Sequence, residues 1–354
     1  MLFNIEVDEG RRIVGYLVPD TFSGIPSVRV SDGEKELLIL PCQEERPALV
    51  AAGRHETGRC GFTIDETVIA DLAQQSALEL YDHETNILIY RRRSPSQVVQ
   101  KRIFRLETHL FPLWHFDDAI SHRFQFFHKG IERHGRETAT QIFLLNNSSS
   151  LYFSGRLLIK TYENYINETF NCVALLRNPY MELAERLLTF KHVRKVGKQL
   201  LGERDMIAYD PAIEFAEAIG NDEKALHRAF ATMPRAAIAI LTNPLTRQLA
   251  ARTPEDVPKK GAVAAALSTL SSFAILGVRE RQDLFLAQIA DLAGIMAETL
   301  PPIPEFIRTS ELSEQLKEVP EARLLIEQDL EVYHQVKSAI DNALAESAEC
   351  QAKT

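Results

Sequence analysis

The sequence predicts an α/β protein: a P-loop-like parallel sheet flanked by helices, preceded by an N-terminal β-sandwich. Three observations carry this. Short runs rich in Val, Ile, Leu and Tyr, separated by turn residues, fill positions 1–94. Two apolar runs, 141–145 (QIFLL) and 172–176 (CVALL), pass directly into polar residues, as buried parallel strands do. From about position 211 the chain reads as successive helices with short Gly or Pro breaks.

The elements follow in order. Runs 12–18, 27–30, 36–40, 78–81 and 86–90 read as strands, punctuated by Asp20, Ser23-Gly24 and Asp32-Gly33. The segment 54–62 (RHETGRCGF) holds two glycines where a β domain bends or bulges. Residues 91–105 then carry six Arg or Lys and no acid. That reads either as a solvated joint or as a cationic attractor of phosphate or acidic glycan. Aromatic-rich residues 107–135 follow, then the run 141–145, a helix-bearing stretch 151–165, and the run 172–176. Leu183, Leu187, Leu188, Val193, Val196 and Leu200 give 182–201 a helical period. The resulting division is 1–94, a linker 95–139, and 140–354.

Composition fits this plan. The chain has 354 residues, 45% hydrophobic and 25% charged, with a net charge of −9. These values exclude disorder and collagen-like repeats, and the acidic balance argues against nucleic acid as partner. Cys42, Cys60, Cys172 and Cys350 form neither a CxxC pair nor a disulfide framework, as in a reduced, cytoplasmic protein. The N-terminus has early acids and no apolar run, unlike a signal peptide. The most apolar stretch, 261–278, is broken by Ser268, Thr269, Ser271 and Ser272, so no membrane span is expected. Histidines and cysteines lack ligand spacing, so no metal is implied, and GxGxxG, the ATP-type P-loop and GxSxG are missing.

In open parallel sheets, ligands sit outside the carboxyl ends of strands, and helix N-termini there favour anions. Asn146, Asn147, Ser148, Ser149 and Ser150 would offer amides and hydroxyls after the first run, or serve as loop and cap residues. Arg177, directly after the second run, would face the same crevice. His109, His115, Asp117 and Asp118 are the candidates for a general base, and His115 with Asp117 on one short segment suggests one.

At these residues the chain resembles the carbohydrate sulfotransferase family. The corresponding pieces are 141–150, 177–186 (RNPYMELAER), 243–249 (NPLTRQL), 273–281 (FAILGVRER) and 329–333 (DLEVY), covering roughly 140–340. The N-terminal block resembles small β domains of bacterial glycan-modifying transferases. The resemblance implies 3′-phosphoadenosine 5′-phosphosulfate as donor and a surface polysaccharide or its precursor as acceptor. It assigns Asn147, Ser148, Ser149, Ser150, Arg177 and Arg247 to the donor. The family's loop lysine and glycines are absent, Asn178 stands for aspartate, and Glu185 stands for a phosphate-binding serine. Sulfuryl transfer needs fixed positive charge, and Arg156 is the nearest substitute, ahead of Lys160. The alternative is a non-catalytic scaffold or glycan-binding protein of the same fold.

Overall fold

The computed structural model describes residues 1–33, 35–93, 97–145, 148–166, 169–196, 200–220, 223–257 and 259–352. Two units divide the chain: Met1–Arg102, Ile120–Lys129 and His134–Phe153 form one; Ile103–Ala119, Gly130–Arg133 and Ser154–Thr354 form the other.

The first unit opens with strands β1 (Leu2–Asp8), β2 (Arg12–Val18), β3 (Ser27–Ser31), β4 (Glu36–Pro41), β5 (Glu44–Glu45), β6 (Arg59–Asp65), β7 (Glu79–Asp82) and β8 (Leu88–Arg91). They make two antiparallel sheets, ordered β1-β2-β6-β5 and β4-β3-β7-β8. Alternation sets the faces: Ile13 and Leu17 of β2, and Val28 and Val30 of β3, are fully buried. β4 is an edge strand and leaves Leu37 and Ile39 exposed. Gly15 is required in β2, because a Cβ there would lie 2.7 Å from the Asn4 carbonyl oxygen and 2.8 Å from the Phe62 ring. The glycine-rich segment 54–62 holds the expected bend, at Gly58 with φ +73°, and then begins β6, a strand internal to its sheet.

A five-stranded parallel sheet follows, flanked by helices. Its strands are β9 (Arg102–Leu106), β10 (Phe126–His128), β11 (Leu151–Gly155), β12 (Asn171–Leu176) and β13 (Ile275–Val278), in the order β10-β11-β9-β12-β13. Cys172 to Leu176 are all buried, as the CVALL run requires. The run 141–145 is not a strand. It closes the helix Arg136–Phe143, whose buried residues Thr138, Ala139, Ile142 and Phe143 recur at helical spacing. Extended Gly135 starts that helix and Glu137 complements its first turn. The strand comes ten residues later, as LYFSG of β11, with all five residues buried. The expected helix from Leu151 begins only at Ile159 and runs to Ile166.

The basic segment is not a solvated joint. Arg91 pairs with Glu79 at 2.7 Å and donates to the Phe124 carbonyl at 3.1 Å. Arg92 pairs with Asp8 at 2.7 Å, and Arg102 donates to the Ser148 carbonyl at 2.8 Å. Ile103, Phe104 and Leu106 are buried, which makes 102–106 a core strand.

In the second unit, helices Pro179–Val196, Asp210–Ala218, Glu223–Ala231 and Arg235–Leu241 share a core containing Leu187, Phe190, Ile213, Phe215 and Phe230. Phe215 and Phe230 meet edge to face at 5.6 Å. No helix among the described residues is long and apolar enough to cross a membrane. β13 packs tightly on the helix Gln282–Ala293: a Cβ on Gly277 would fall 2.7 Å from the buried Phe285 ring. Gly277→Ala is expected to cost about 1–3 kcal/mol through overpacking, read as a lower urea midpoint at unchanged slope. An unchanged midpoint would show that Phe285 yields freely.

Candidate functional site

Four strands discharge at the carboxyl edge where parallel sheets place ligands. β9 leads into Glu107, Thr108 and His109, β11 into Arg156, β12 into Arg177, and β13 into Arg279.

The loop after β9 connects an internal strand to the helix Trp114–Ser121. Free amides at such a turn favour an anion, and here the chain supplies one. The Glu107 carboxylate accepts the Leu113 amide at 2.8 Å, the His109 amide at 3.2 Å and the Arg105 guanidinium at 2.9 Å. Burial pushes the Glu107 pKa up, but Arg105 and His109 outweigh it and hold the group well below the usual carboxylate range. Arg105 also grips Asp117 through two bonds of 2.8 Å, and the Ser154 hydroxyl donates to Asp117 at 2.7 Å. Asp117 is therefore committed to Arg105 and Ser154, while His115 is exposed on the same helix.

Arg177 lies at the end of β12, 6% exposed, as its position in the sequence implied. Its Nη1 donates to Glu185 on the helix Pro179–Val196. On the same helix Arg186 pairs with Glu182 at 2.8 Å. Arg177, Glu185, His109, His115 and Arg279 line one cavity of about 50 Å³ that opens to solvent, walled by Phe111, Phe116, Phe306 and prolines. Arg279 donates to the Pro304 carbonyl at 2.8 Å. Burial first, and then Arg177, draws its pKa down.

No known family model and no curated protein matches this chain.

The remaining expected site residues fall elsewhere. Arg156 follows a strand rather than riding on a helix. Its amide donates to Glu132 at 2.9 Å, and its guanidinium pairs with Asp205 and lies 5.8 Å over the Tyr209 ring. With Arg247 it lines a second cleft, of about 490 Å³. Arg247 itself donates to the carbonyls of Ala239 and Thr242. Ser148, Ser149 and Ser150 border a hollow within the first unit. They precede β11 and so stand at a strand's amino end, not its carboxyl end. Their hydroxyls are spent locally: Ser148 accepts the Ser150 amide at 3.1 Å, Ser150 accepts the Gln125 amide at 3.0 Å, and Ser149 donates to Gln100 at 2.5 Å. Asn146 and Asn147 lie outside the described residues. The seven expected residues among those described thus divide among three places: Arg177 with His115, Arg156 with Arg247, and the three serines.

The pieces 243–249, 273–281 and 329–333 do converge, but on each other. The Asn243 side chain, on a left-handed backbone with φ 44°, accepts the Gln328 amide at 3.0 Å and the Asp329 amide at 3.3 Å. The Asp329 carboxylate in return accepts the amides of Leu245 at 3.1 Å and Thr246 at 2.7 Å. Two helix N-termini are capped reciprocally. The Tyr333 hydroxyl donates to Glu280 and extends the joint.

Two residues of the carboxyl edge, Glu107 and Arg279, were not singled out in the sequence, whereas His109 was, among the candidates for a base. The available signal was the apolar run before each: Ile103, Phe104 and Leu106 before Glu107, and Ile275–Val278 before Arg279. Among the described residues no group of three or more His, Cys, Asp or Glu is placed to hold a metal ion. Burial pushes the Cys42 and Cys172 thiols up to about 12, so neither is poised as a nucleophile.

Proposed function

We propose that this chain is a non-catalytic protein of the carbohydrate sulfotransferase fold, acting as a scaffold or glycan-binding component of polysaccharide assembly. The proposal includes the finer architecture, a P-loop-like core behind a β-sandwich. One observation carries it: the chain's own carboxylates occupy the loop amides after β9 and the Arg177 guanidinium, the anion-favouring groups at the carboxyl edge of the sheet. Glu107 takes the amides of the loop after β9, and Glu185 takes Arg177. A donor phosphate would have to displace two buried carboxylates and meet their repulsion. The serine run supports the same reading, since its hydroxyls are already bonded.

A second reading, a sulfotransferase-like transferase using 3′-phosphoadenosine 5′-phosphosulfate, is favoured by the larger cleft with Arg156, Arg186 and Arg247. In it Arg156 is the catalytic cation, while His115, expected as the base, lines the other cavity. Arg156 is also held between Glu132 and Asp205, so its replacement would cost stability along with any activity.

Calorimetric titration with 3′-phosphoadenosine 5′-phosphate separates the two. The wild type is expected to give no binding heat, and Glu185→Ser, which releases Arg177, to gain affinity roughly tenfold or more. Micromolar binding by the wild type would overturn the non-catalytic reading in favour of the transferase. A Glu185→Ser variant that gains nothing would remove Glu185 as the blocking group.

A further inference from the structure

The cavity at the carboxyl ends of β9, β12 and β13 holds an unusual set of incomplete bonds. Among the described residues, four polar atoms on its lining groups are buried without a hydrogen-bond partner: Arg177 Nη2, Arg279 Nη1, His109 Nε2 and Glu185 Oε1. Arg177 is 6% exposed and His109 2% exposed. Leaving such groups unmade costs about 1–3 kcal/mol each, and more when charged. Their convergence on one cavity is therefore a feature that a ligand can satisfy.

The groups specify its chemistry. Arg177 is offset by Glu185, whereas Arg279 is bonded to the carbonyls of Ile303 and Pro304. The local sum of these side chains is one positive charge, which fits a monoanion. A doubly charged phosphate would meet the free oxygen of Glu185 and be repelled. That same oxygen needs a donor, which a hydroxyl beside the anionic head provides. The walls are apolar: Phe116 is buried, and Phe111 and Phe306 meet edge to face at 5.8 Å.

We propose that this cavity binds a small hydroxy-carboxylate monoanion with an aromatic or otherwise apolar body. The carboxylate accepts from Arg177 and Arg279, the hydroxyl donates to Glu185, and the body packs on the phenylalanine and proline walls. No bond is made or broken. The inference shares Arg177 and Glu185 with the reading above, yet holds whether or not the chain transfers sulfate.

Mandelate is the probe, with phenylacetate, glucuronate and inorganic phosphate as comparisons, followed by calorimetry and by ligand-to-ring Overhauser contacts. Mandelate is expected to bind at least fivefold more tightly than phenylacetate, which lacks the hydroxyl, and to show contacts to phenylalanine ring protons. Arg279→Gln is expected to weaken mandelate at least tenfold, and Phe306→Ala to weaken it with Arg279 intact. Tighter binding of phosphate would overturn the monoanion assignment, and tighter binding of glucuronate the apolar body. Mandelate that does not bind the wild type, or that is indifferent to both substitutions, would overturn the site. Failure here would appear as silent mandelate, whereas failure of the non-catalytic reading would appear as binding of the adenosine bisphosphate.

Discussion

Arg105→Met is expected to lower stability by about 3–5 kcal/mol at pH 7, because it strands buried carboxylates. Arg105 is 2% exposed, Glu107 1% and Asp117 0%. The guanidinium makes three bonds of 2.8–2.9 Å to the two acids. Without it Asp117 retains the Ser154 hydroxyl, and Glu107 retains two amides and the His109 ring. Those partners are dipoles or a titratable imidazole, and they offset less of the buried charge than a permanent cation does. The sign with pH follows from Glu107. Its pKa is depressed in the folded state, so its contribution is present above the unfolded carboxylate range, near 4.5, and lost as pH falls below it. The variant lacks most of that contribution. Its deficit should therefore hold from neutrality down to about pH 4.5 and narrow only below it. Replacing the pair together, Arg105→Met with Asp117→Leu, should recover part of the loss, since an apolar pair carries no desolvation cost. Urea denaturation at pH 7 and about pH 3 measures both effects; a deficit below about 1 kcal/mol at pH 7 would show that the network is not load-sharing.

This same network explains what could and could not be read in the sequence. The strands β2, β3, β4, β7 and β8 fall within two residues of the runs that suggested them, because alternation and turn residues are local properties. β12 and the helix Pro179–Val196 were legible for the same reason. β9 was not: Arg102 and Arg105 made it look like part of a cationic linker. The residue that turns Arg105 into a core side chain, Asp117, lies twelve positions further on. The run 141–145 failed differently. Four apolar residues after Gln141 fit a strand or the end of a helix equally well, and only the buried spacing of Thr138, Ala139, Ile142 and Phe143 decides.

The site followed the same division. Arg177 could be placed at the cavity because a residue just after a buried parallel strand must emerge at its carboxyl end. The state of Arg177 could not, since its pairing with Glu185 depends on how the next helix leaves the strand. The resemblance to sulfotransferases rested on Asn243, Glu280, Asp329 and Tyr333 among others, and these residues bond one another at helix ends. Caps of that kind hold a fold together whether or not it transfers a group. These motif residues are therefore accounted for by packing between helix ends.

A second large effect is expected in acid. His128, on β10, is buried, with Nε2 3.0 Å from the Leu88 carbonyl and its ring 6.0 Å from that of Phe153. Burial lowers its pKa to about 3, with the charges of His134 and Arg91 adding to the effect and the Leu88 bond opposing it. Arg91 faces it as a cation already paired with Glu79. In the unfolded chain the imidazole titrates near 6.5. The folded pKa is depressed, so the unfolded state takes up a proton first as pH falls. Stability is fully present above about 6.5 and drains away between there and about 3. Each pH unit in that window costs about 1.4 kcal/mol, so going from pH 7 to pH 4 should remove about 3 kcal/mol through this one residue. His128→Gln keeps an N–H to offer Leu88 and cannot titrate. It should flatten the pH dependence of the urea midpoint by about one proton between pH 6.5 and pH 4, leaving the carboxylate contribution below pH 5 in place. The imidazole resonances of His128 should stay in the neutral form down to about pH 3. Titration near 6.5 in the folded protein, or an equally steep acid limb in His128→Gln, would show that the ring is reached by water and carries no such load.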